Sequence, residues 1–334
     1  MGAVMNRYYA KFTAFGSYTP PKVLNNYDLE KIVDTTDEWI RTRTGMFERH
    51  IAADNEAASD LAYAAAKRAM ESSPVKYREI DLILVATVTG DYAFPSTACI
   101  LQKRLGMKDI PAFDLSAGCT GFIYAVDVAR QFIENGTYKN ILVVGVEVLT
   151  KITNWKDRNT CVLFGDGAGA AIVSRARSAD ISHIIDTKIW SDGSQGEYLY
   201  QPAGGSRMPA SRKTVEENLH TVYMEGNKIF KLAVRSMTSA IDEILKQNKL
   251  KPDDVDWFIP HQANLRIIEA IIDRLHVPKD RVIINIEKYG NMSSATIPVA
   301  VDEAIRAKKI RRGDVILMVA FGAGLTWGSV LARY

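Results

Sequence analysis

The chain has 334 residues, too many for the usual single core, so two core-forming units are expected. Its 47% hydrophobic and 24% charged residues are those of an ordinary soluble enzyme, and a net charge of +3 is too mild to announce nucleic acid as a partner. Cys99, Cys119 and Cys161 form an odd set without a C-x-x-C pair, which argues against a disulfide framework and a zinc site and suits the cytoplasm, while no run reaches the ~20 apolar residues of a membrane span.

At the N-terminus, Met1–Arg7 lacks the apolar core of a signal peptide, and Gly2 is not followed by the Ser or Thr of a myristoylation signal. Residues 8–16 read as a first strand, followed by a Pro20-Pro21 turn, short helices over Asp28–Val33 and Thr36–Arg41, and a loop over 42–45. Ser59–Met70 is an alanine-rich amphipathic helix stopping before Pro74. Ile80–Thr87 is a nearly uninterrupted apolar run, as expected of a strand buried on both faces. Ala93-Phe94-Pro95-Ser96 opens the next helix, Pro111–Leu115 is a strand, and Asn140–Val146 is another buried strand. The α-β alternation points to a layered α/β architecture.

The second half repeats the first. Asp81-Leu82-Ile83-Leu84 recurs 175 positions on as Asp256-Trp257-Phe258-Ile259. Ala125-Val126-Asp127 returns as Ala300-Val301-Asp302, and Ile141-Leu142-Val143-Val144 as Ile316-Leu317-Met318-Val319, at the same offset. Arg104-Leu105-Gly106 against Arg274-Leu275-His276 is displaced by 170, as a loop deletion would do. Three matches at one offset and in one order indicate an internally duplicated α/β unit. The alignment sets the segment around Cys119 against the loop around Asn291, and the strand exit Ala86-Thr87-Val88 against Pro260-His261-Gln262. Equivalent strand ends of two packed halves can converge on one cleft.

Phe113–Phe122 reads as a strand end, a small-residue elbow and a helix start, which places Cys119 at a helix N-terminus, where backbone N–H groups and the helix dipole favour the thiolate. Ala117, Gly118, Thr120 and Gly121 leave room for a carbonyl to approach the sulfur. The alternative is a small buried hydrophobe, the commonest fate of a free cysteine. His261 follows the apolar strand Trp257–Ile259 and precedes a helix beginning near Leu265, a setting that holds an imidazole firmly, although a lone histidine is more often structural. Asn291 sits in a glycine-turned loop after an expected strand Val282–Ile286, where turn chemistry alone would account for it. The glycine-dense segments Phe164–Ala170 and Phe321–Gly328 fit neither phosphate-binding pattern, so close backbone packing is the reading.

Taken together, Ala117–Phe122, His261-Gln262-Ala263-Asn264-Leu265-Arg266, Gly290-Asn291, Phe321–Gly328, Asp37–Gly45 and Phe164–Ala170 resemble the β-ketoacyl-acyl-carrier-protein synthase III family, from Phe15 to the C-terminus. The resemblance implies a thiolase-like α/β fold, two duplicated halves packed as a five-layered αβαβα arrangement, with an N-terminal half (1–178) carrying the nucleophile and a C-terminal half (179–334) carrying the His and Asn. It implies that Cys119 takes an acyl group from a short acyl-CoA, and that loss of carboxylate from malonyl-acyl carrier protein then gives a carbanion that attacks the acyl-cysteine. His261 Nε2 and the Asn291 amide would donate to the thioester oxygen, with no metal or redox cofactor.

By the same resemblance, Trp39 and Arg158 would sandwich the adenine of CoA, and Arg43, Gly226, Phe230, Ala263 and Asn264 would line the pantetheine path. Phe94, Phe164, Phe321, Gly322 and Ala323 would form the acyl pocket and oxyanion region, Phe94 reaching across a homodimer interface. Lys231, Gln262, Arg266 and Arg274 would dock the acidic carrier protein. Two departures stand out: Phe47 where the family commonly has arginine, and Ala323 in place of a glycine. Competing expectations are a condensing enzyme or acyltransferase of secondary metabolism using a longer, branched or aromatic acyl-CoA, and a non-catalytic acyl-binding scaffold.

Overall fold

A computed structural model describes residues 8–176, 178 and 182–334. The reading of Met1–Arg7, and residue 179 at the expected boundary between halves, lie outside the described residues.

Two mixed sheets carry the fold. The first is built from β1 (Tyr9–Tyr18), β2 (Leu82–Ala86), β3 (Ala112–Leu115), β4 (Asn140–Val148) and β5 (Asp166–Ala176), in the order β1-β5-β4-β2-β3. The second is built from β6 (His183–Ser191), β7 (Trp257–Pro260), β8 (Val315–Gly322) and β9 (Thr326–Arg333), in the order β7-β8-β9-β6. In the first sheet β4, β2 and β3 run parallel, in the second β8 and β7 do, and in each the two remaining strands join antiparallel. Every residue of β2 and β8 is buried, which explains their uninterrupted apolar sequences.

Five longer helices and two shorter ones of the same pattern complete the layers: α1 (Asp37–Thr44), α2 (Ala58–Glu71), α3 (Thr97–Arg104), α4 (Gly121–Glu134), α5 (Gly226–Gln247), α6 (Leu265–Leu275) and α7 (Thr296–Arg306). One apolar cluster joins α2 and α3 to the first sheet, and another joins α5 and α6 to the second. The largest joins α4 and α7 to both sheets, with Phe122, Val126, Val301 and Met318 at its centre. The layer sequence is therefore helix, sheet, helix, sheet, helix.

All the repeated motifs land on equivalent elements. The Ala-Val-Asp motifs lie in the two central helices, and each aspartate accepts a hydroxyl hydrogen bond from the opposite sheet: Asp302 from Ser17 on β1 at 2.5 Å, and Asp127 from Thr187 on β6. Arg104-Leu105-Gly106 and Arg274-Leu275-His276 both end helices, with Gly106 and His276 in the left-handed conformation (φ 69° and 53°).

Three local expectations are corrected. The loop placed at 42–45 is mostly helix: α1 runs to Thr44 and stops at Gly45 in the left-handed region. The helix expected over Asp28–Val33 is a single turn, Asn26–Leu29, capped by Asn25. The strand expected over Val282–Ile286 is not formed; Val282 makes one bridge to Phe258, and Ile286–Tyr289 is already helical. The missing ladder is replaced by Gln262, whose amide donates to the carbonyls of Pro260 and Ile283 and accepts from the Asn285 N–H.

Candidate active site

β3 delivers the chain to Ala117, and Gly118 turns it with φ 53°, a conformation that costs little only for glycine. Gly118–Thr120 form one 3-10 turn, and α4 begins at Gly121, so Cys119 stands two residues ahead of the α-helix. The elbow is clamped by the other half. A Cβ on Gly322, at the end of β8, would lie 2.5 Å from the Cys119 nitrogen, and Thr326 Oγ1 donates to the Ala117 carbonyl at 2.8 Å. Burial works against the preference of the helix start for the thiolate. Burial pushes the Cys119 thiol up to about 12; the buried Glu147 carboxyl adds to the rise, and a hydrogen bond with Ser293 opposes it.

His261 sits at the exit of β7, its backbone N–H donating to Val319 O at 2.8 Å. The side chain is 1% exposed, and burial pulls the imidazole down to about 3, so it is neutral throughout the working pH range. Nδ1 lies 2.6 Å from Thr296 Oγ1, while Nε2 has no partner among the described residues. Asn291 is fixed through its backbone, with N–H to Leu163 O and C=O to Gly165 N–H, and its Oδ1 accepts from Ser293 N–H at 2.8 Å. Its amide N–H2 group makes no hydrogen bond among the described residues. Cys119, His261 and Asn291 line one cavity of about 630 Å³.

The same cavity is lined by Trp39, Arg43, Gly226, Phe230, Ala263 and Asn264 towards its mouth, and by Phe164, Phe321, Gly322 and Ala323 beside the sulfur. The Asn264 side chain caps α6 and also donates to Arg43 O at 3.0 Å, tying α6 to α1. Ala323 avoids the left-handed region, so its replacement of glycine strains nothing. Arg158 is not in the cavity wall; its guanidinium lies 4.7 Å from the centre of the Trp39 ring, directly over it, and donates to Asp34 O. An adenine between the two would require Arg158 to withdraw. Phe94 does not line this chain's cavity and is 86% exposed.

Of the four residues expected to dock a carrier protein, Lys231, Arg266 and Arg274 are exposed, and Arg266 reaches the cavity mouth beside Phe230. Gln262 is corrected: it is 1% exposed, and its polar atoms are consumed in bracing residues 283–285. Phe47 packs edge-on against Tyr27 with Arg41 over its ring.

Sequence reasoning missed Glu147 and Ser293. The expected strand stopped at Val146, one residue short of a carboxylate that is fully buried near Cys119. The available signal was a single acid inside the apolar run Ile141–Val148. Ser293 occupies a left-handed conformation, φ 46°, rare for serine.

With this geometry in place, relatives can be compared. The 3-oxoacyl-acyl-carrier-protein (ACP) synthase III family matches residues 113–193, and its C-terminal counterpart matches 245–334. The chain is 57% identical over 319 residues to the β-ketoacyl-acyl-carrier-protein synthase III of Caldanaerobacter subterraneus subsp. tengcongensis, covering 96% of each, and 50% identical to that of Xanthomonas campestris, covering 98% of this chain and 99% of the relative. The crystal structure of 3-oxoacyl-acyl-carrier-protein synthase III from Aquifex aeolicus superposes with a TM-score of 0.90 at 48% identity, covering 97% of this chain and 100% of that one. The chain belongs to the β-ketoacyl-acyl-carrier-protein synthase III family, thiolase-fold acyltransferases that carry out the initiating condensation of fatty acid synthesis.

Proposed function

We propose that the cavity joins a short acyl group from acyl-CoA to malonyl-acyl carrier protein in two steps. In the first, Cys119 Sγ attacks the thioester carbonyl, a new S–C bond forms, and CoA leaves as its thiolate. In the second, malonyl-acyl carrier protein occupies the same tunnel and loses CO2, and the resulting carbanion attacks the acyl-cysteine and frees the sulfur.

The observation that carries this reading is the pairing, across one cavity, of a thiol with two polar groups that lack hydrogen-bond partners among the described residues: the His261 Nε2 and the Asn291 amide. The Thr296 hydroxyl also lies 3.0 Å from Ser293 O; in the arrangement proposed its one hydrogen goes to the His261 Nδ1 instead. With the Thr296 hydroxyl donating to Nδ1, the proton of the neutral ring sits on Nε2, where it can donate to the malonyl thioester oxygen. Asn291 supplies the second donor. Enolate charge grows on that oxygen as CO2 departs, so both bonds strengthen in the transition state.

Trp39, Arg43, Gly226, Phe230, Ala263 and Asn264 fit the route of the pantetheine arm, with Arg158 swinging off Trp39 to admit adenine. Lys231, Arg266 and Arg274 supply positive charge for an acidic carrier protein near the mouth. A homodimer is supported by exposed apolar side chains, Val88, Tyr92, Phe94 and Phe113, gathered at the open β3 edge of the first sheet. In such a dimer Phe94 would close the partner's acyl pocket. Halves of 1–178 and 179–334 fit the separate strand sets of the two sheets, and free cysteines fit the cytoplasm. Among the described residues no helix is long and apolar enough to cross a membrane.

The test is Cys119→Ser with radiolabelled acetyl-CoA. Covalent label is expected on the wild-type protein and none on the variant; label retained by the variant removes Cys119 from the role.

A further inference from the structure

Burial raises the Cys119 thiol, and in the reading above His261 Nε2 and the Asn291 amide both donate, so neither takes the thiol proton. The group placed to take it is Glu147, on β4. Its Oε1 lies 3.1 Å from the hydroxyls of both Ser293 and Ser294, and its Oε2 accepts from the Thr89 hydroxyl at 2.6 Å and from the Val88 N–H at 3.2 Å. Thr87 Oγ1 stands at the edge of this shell, 3.4 Å away. The shell is hydroxyls and one backbone N–H; Ser293, which belongs to it, lines the same cavity as Cys119, whose thiol feels the Glu147 charge.

Counting protons in this cluster shows that Glu147 can hold one. Ser294 Oγ lies 2.9 Å from the Ala86 carbonyl and 3.1 Å from Glu147 Oε1, but a serine hydroxyl has a single hydrogen. The Ala86 carbonyl can only accept. When Ser294 donates to it, the contact with Oε1 is a hydrogen bond only if Glu147 carries a proton. When Glu147 is ionised, Ser294 turns to the carboxylate instead. Ser293 has the same choice: with Glu147 ionised its hydroxyl donates to Oε1 and it can accept from the Cys119 S–H; with Glu147 protonated it is free to donate to the sulfur as a thiolate. The cluster therefore has two complete hydrogen-bond arrangements, one for each protonation state.

We propose that Glu147, acting through the Ser293 hydroxyl, stores the Cys119 proton while the sulfur carries the acyl group. The inference rests on the reading of Cys119 as the nucleophile. On acylation the thiol proton moves to Ser293 Oγ as the Ser293 proton moves to Glu147 Oε1; the Sγ–C bond forms, the C–S bond to CoA breaks, and the CoA thiolate takes a proton from water. On condensation the malonyl carboxylate leaves as CO2, the new C–C bond expels the Cys119 thiolate, and the stored proton returns through Ser293. One cycle consumes one proton from solvent, as the loss of a carboxylate as CO2 demands. Burial lifts Glu147 to about 7, which lets it both accept and return a proton near neutral pH.

Alkylation of Cys119 by iodoacetamide tests the relay without any acyl-CoA or carrier protein, with the Cys119 peptide followed by mass spectrometry to separate it from Cys99 and Cys161. In the wild-type protein the rate should rise through an inflection near pH 7, as Glu147 becomes able to accept the proton. Glu147→Gln should lose that inflection and react about a hundredfold more slowly at pH 8, within the range of general acid–base effects. Ser293→Gly, which suits the left-handed backbone and removes the hydroxymethyl side chain, should behave the same way and covers the case in which Glu147→Gln does not fold. Variants that keep the inflection, or that react at pH 8 as fast as wild type or faster, overturn the relay. They would leave the nucleophile assignment standing, because that fails only if Cys119→Ser retains label.

Discussion

The elbow at Cys119 and the loop at Asn291 occupy the same place in two copies of one α/β unit, and they have diverged in opposite directions. In the first copy β3 pairs fully with β2 and feeds a tight turn that presents a sulfur. In the second the equivalent strand has shrunk to the Val282 bridge, and a glutamine side chain does the work of the lost ladder. The ordered strand gives Cys119 a rigid approach to α4. The frayed one lets residues 285–295 fold back so that Ser293 and Ser294 reach the first copy's β2 exit and β4, while Asn291 bridges to Phe164. A duplicated scaffold thus builds an asymmetric site by loosening one strand rather than by adding a domain.

Two substitutions sharpen that contrast. The larger effect is expected from Gly322→Ala. A Cβ there meets the Cys119 backbone nitrogen and Cβ, not the end of a flexible chain, so the elbow itself must move. A displacement on the order of 1 Å at a reacting atom costs roughly a hundredfold in rate. Acylation measured by rapid quench should fall by that factor while circular dichroism stays unchanged. Wild-type acylation would mean that the second half does not set the position of the sulfur. The smaller effect is expected from Gln262→Leu, which removes three buried hydrogen bonds and leaves carbonyl and N–H groups of residues 260–285 unpaired. The loss should be about 1–3 kcal/mol in urea unfolding. A variant as stable as the parent would show that the frayed strand needs no brace.

The repeat was legible because buried strands and their following helices are constrained at many positions at once. An offset of 175 residues survives in the β2/β7, α4/α7 and β4/β8 pairs even where individual identities are lost. That Cys119, His261 and Asn291 line one cavity was legible because the duplication sets their strand exits against one another. The Val282–Ile286 segment misled because its apolar alternation is that of a strand, while its hydrogen bonds go to a side chain 20 residues upstream. Glu147 was hidden for the converse reason: an acid inside an apolar strand looks like a strand end until the hydroxyls of a distant loop arrive to satisfy it. The rise of the Cys119 thiol was beyond sequence as well, since it depends on how far the fold buries the sulfur.

The central claim is a division of labour across one cavity, with the sulfur of the first half taking the acyl group and the donors of the second half serving the later decarboxylation. Asn291→Ala tests it directly. Intact-protein mass spectrometry after incubation with acetyl-CoA should find the acyl adduct formed as fast as in the wild type. Release of CO2 from malonyl-acyl carrier protein should be slowed roughly 10²–10³-fold, the usual cost of removing one oxyanion donor. Decarboxylation at the wild-type rate, or an adduct that never forms, would contradict the account.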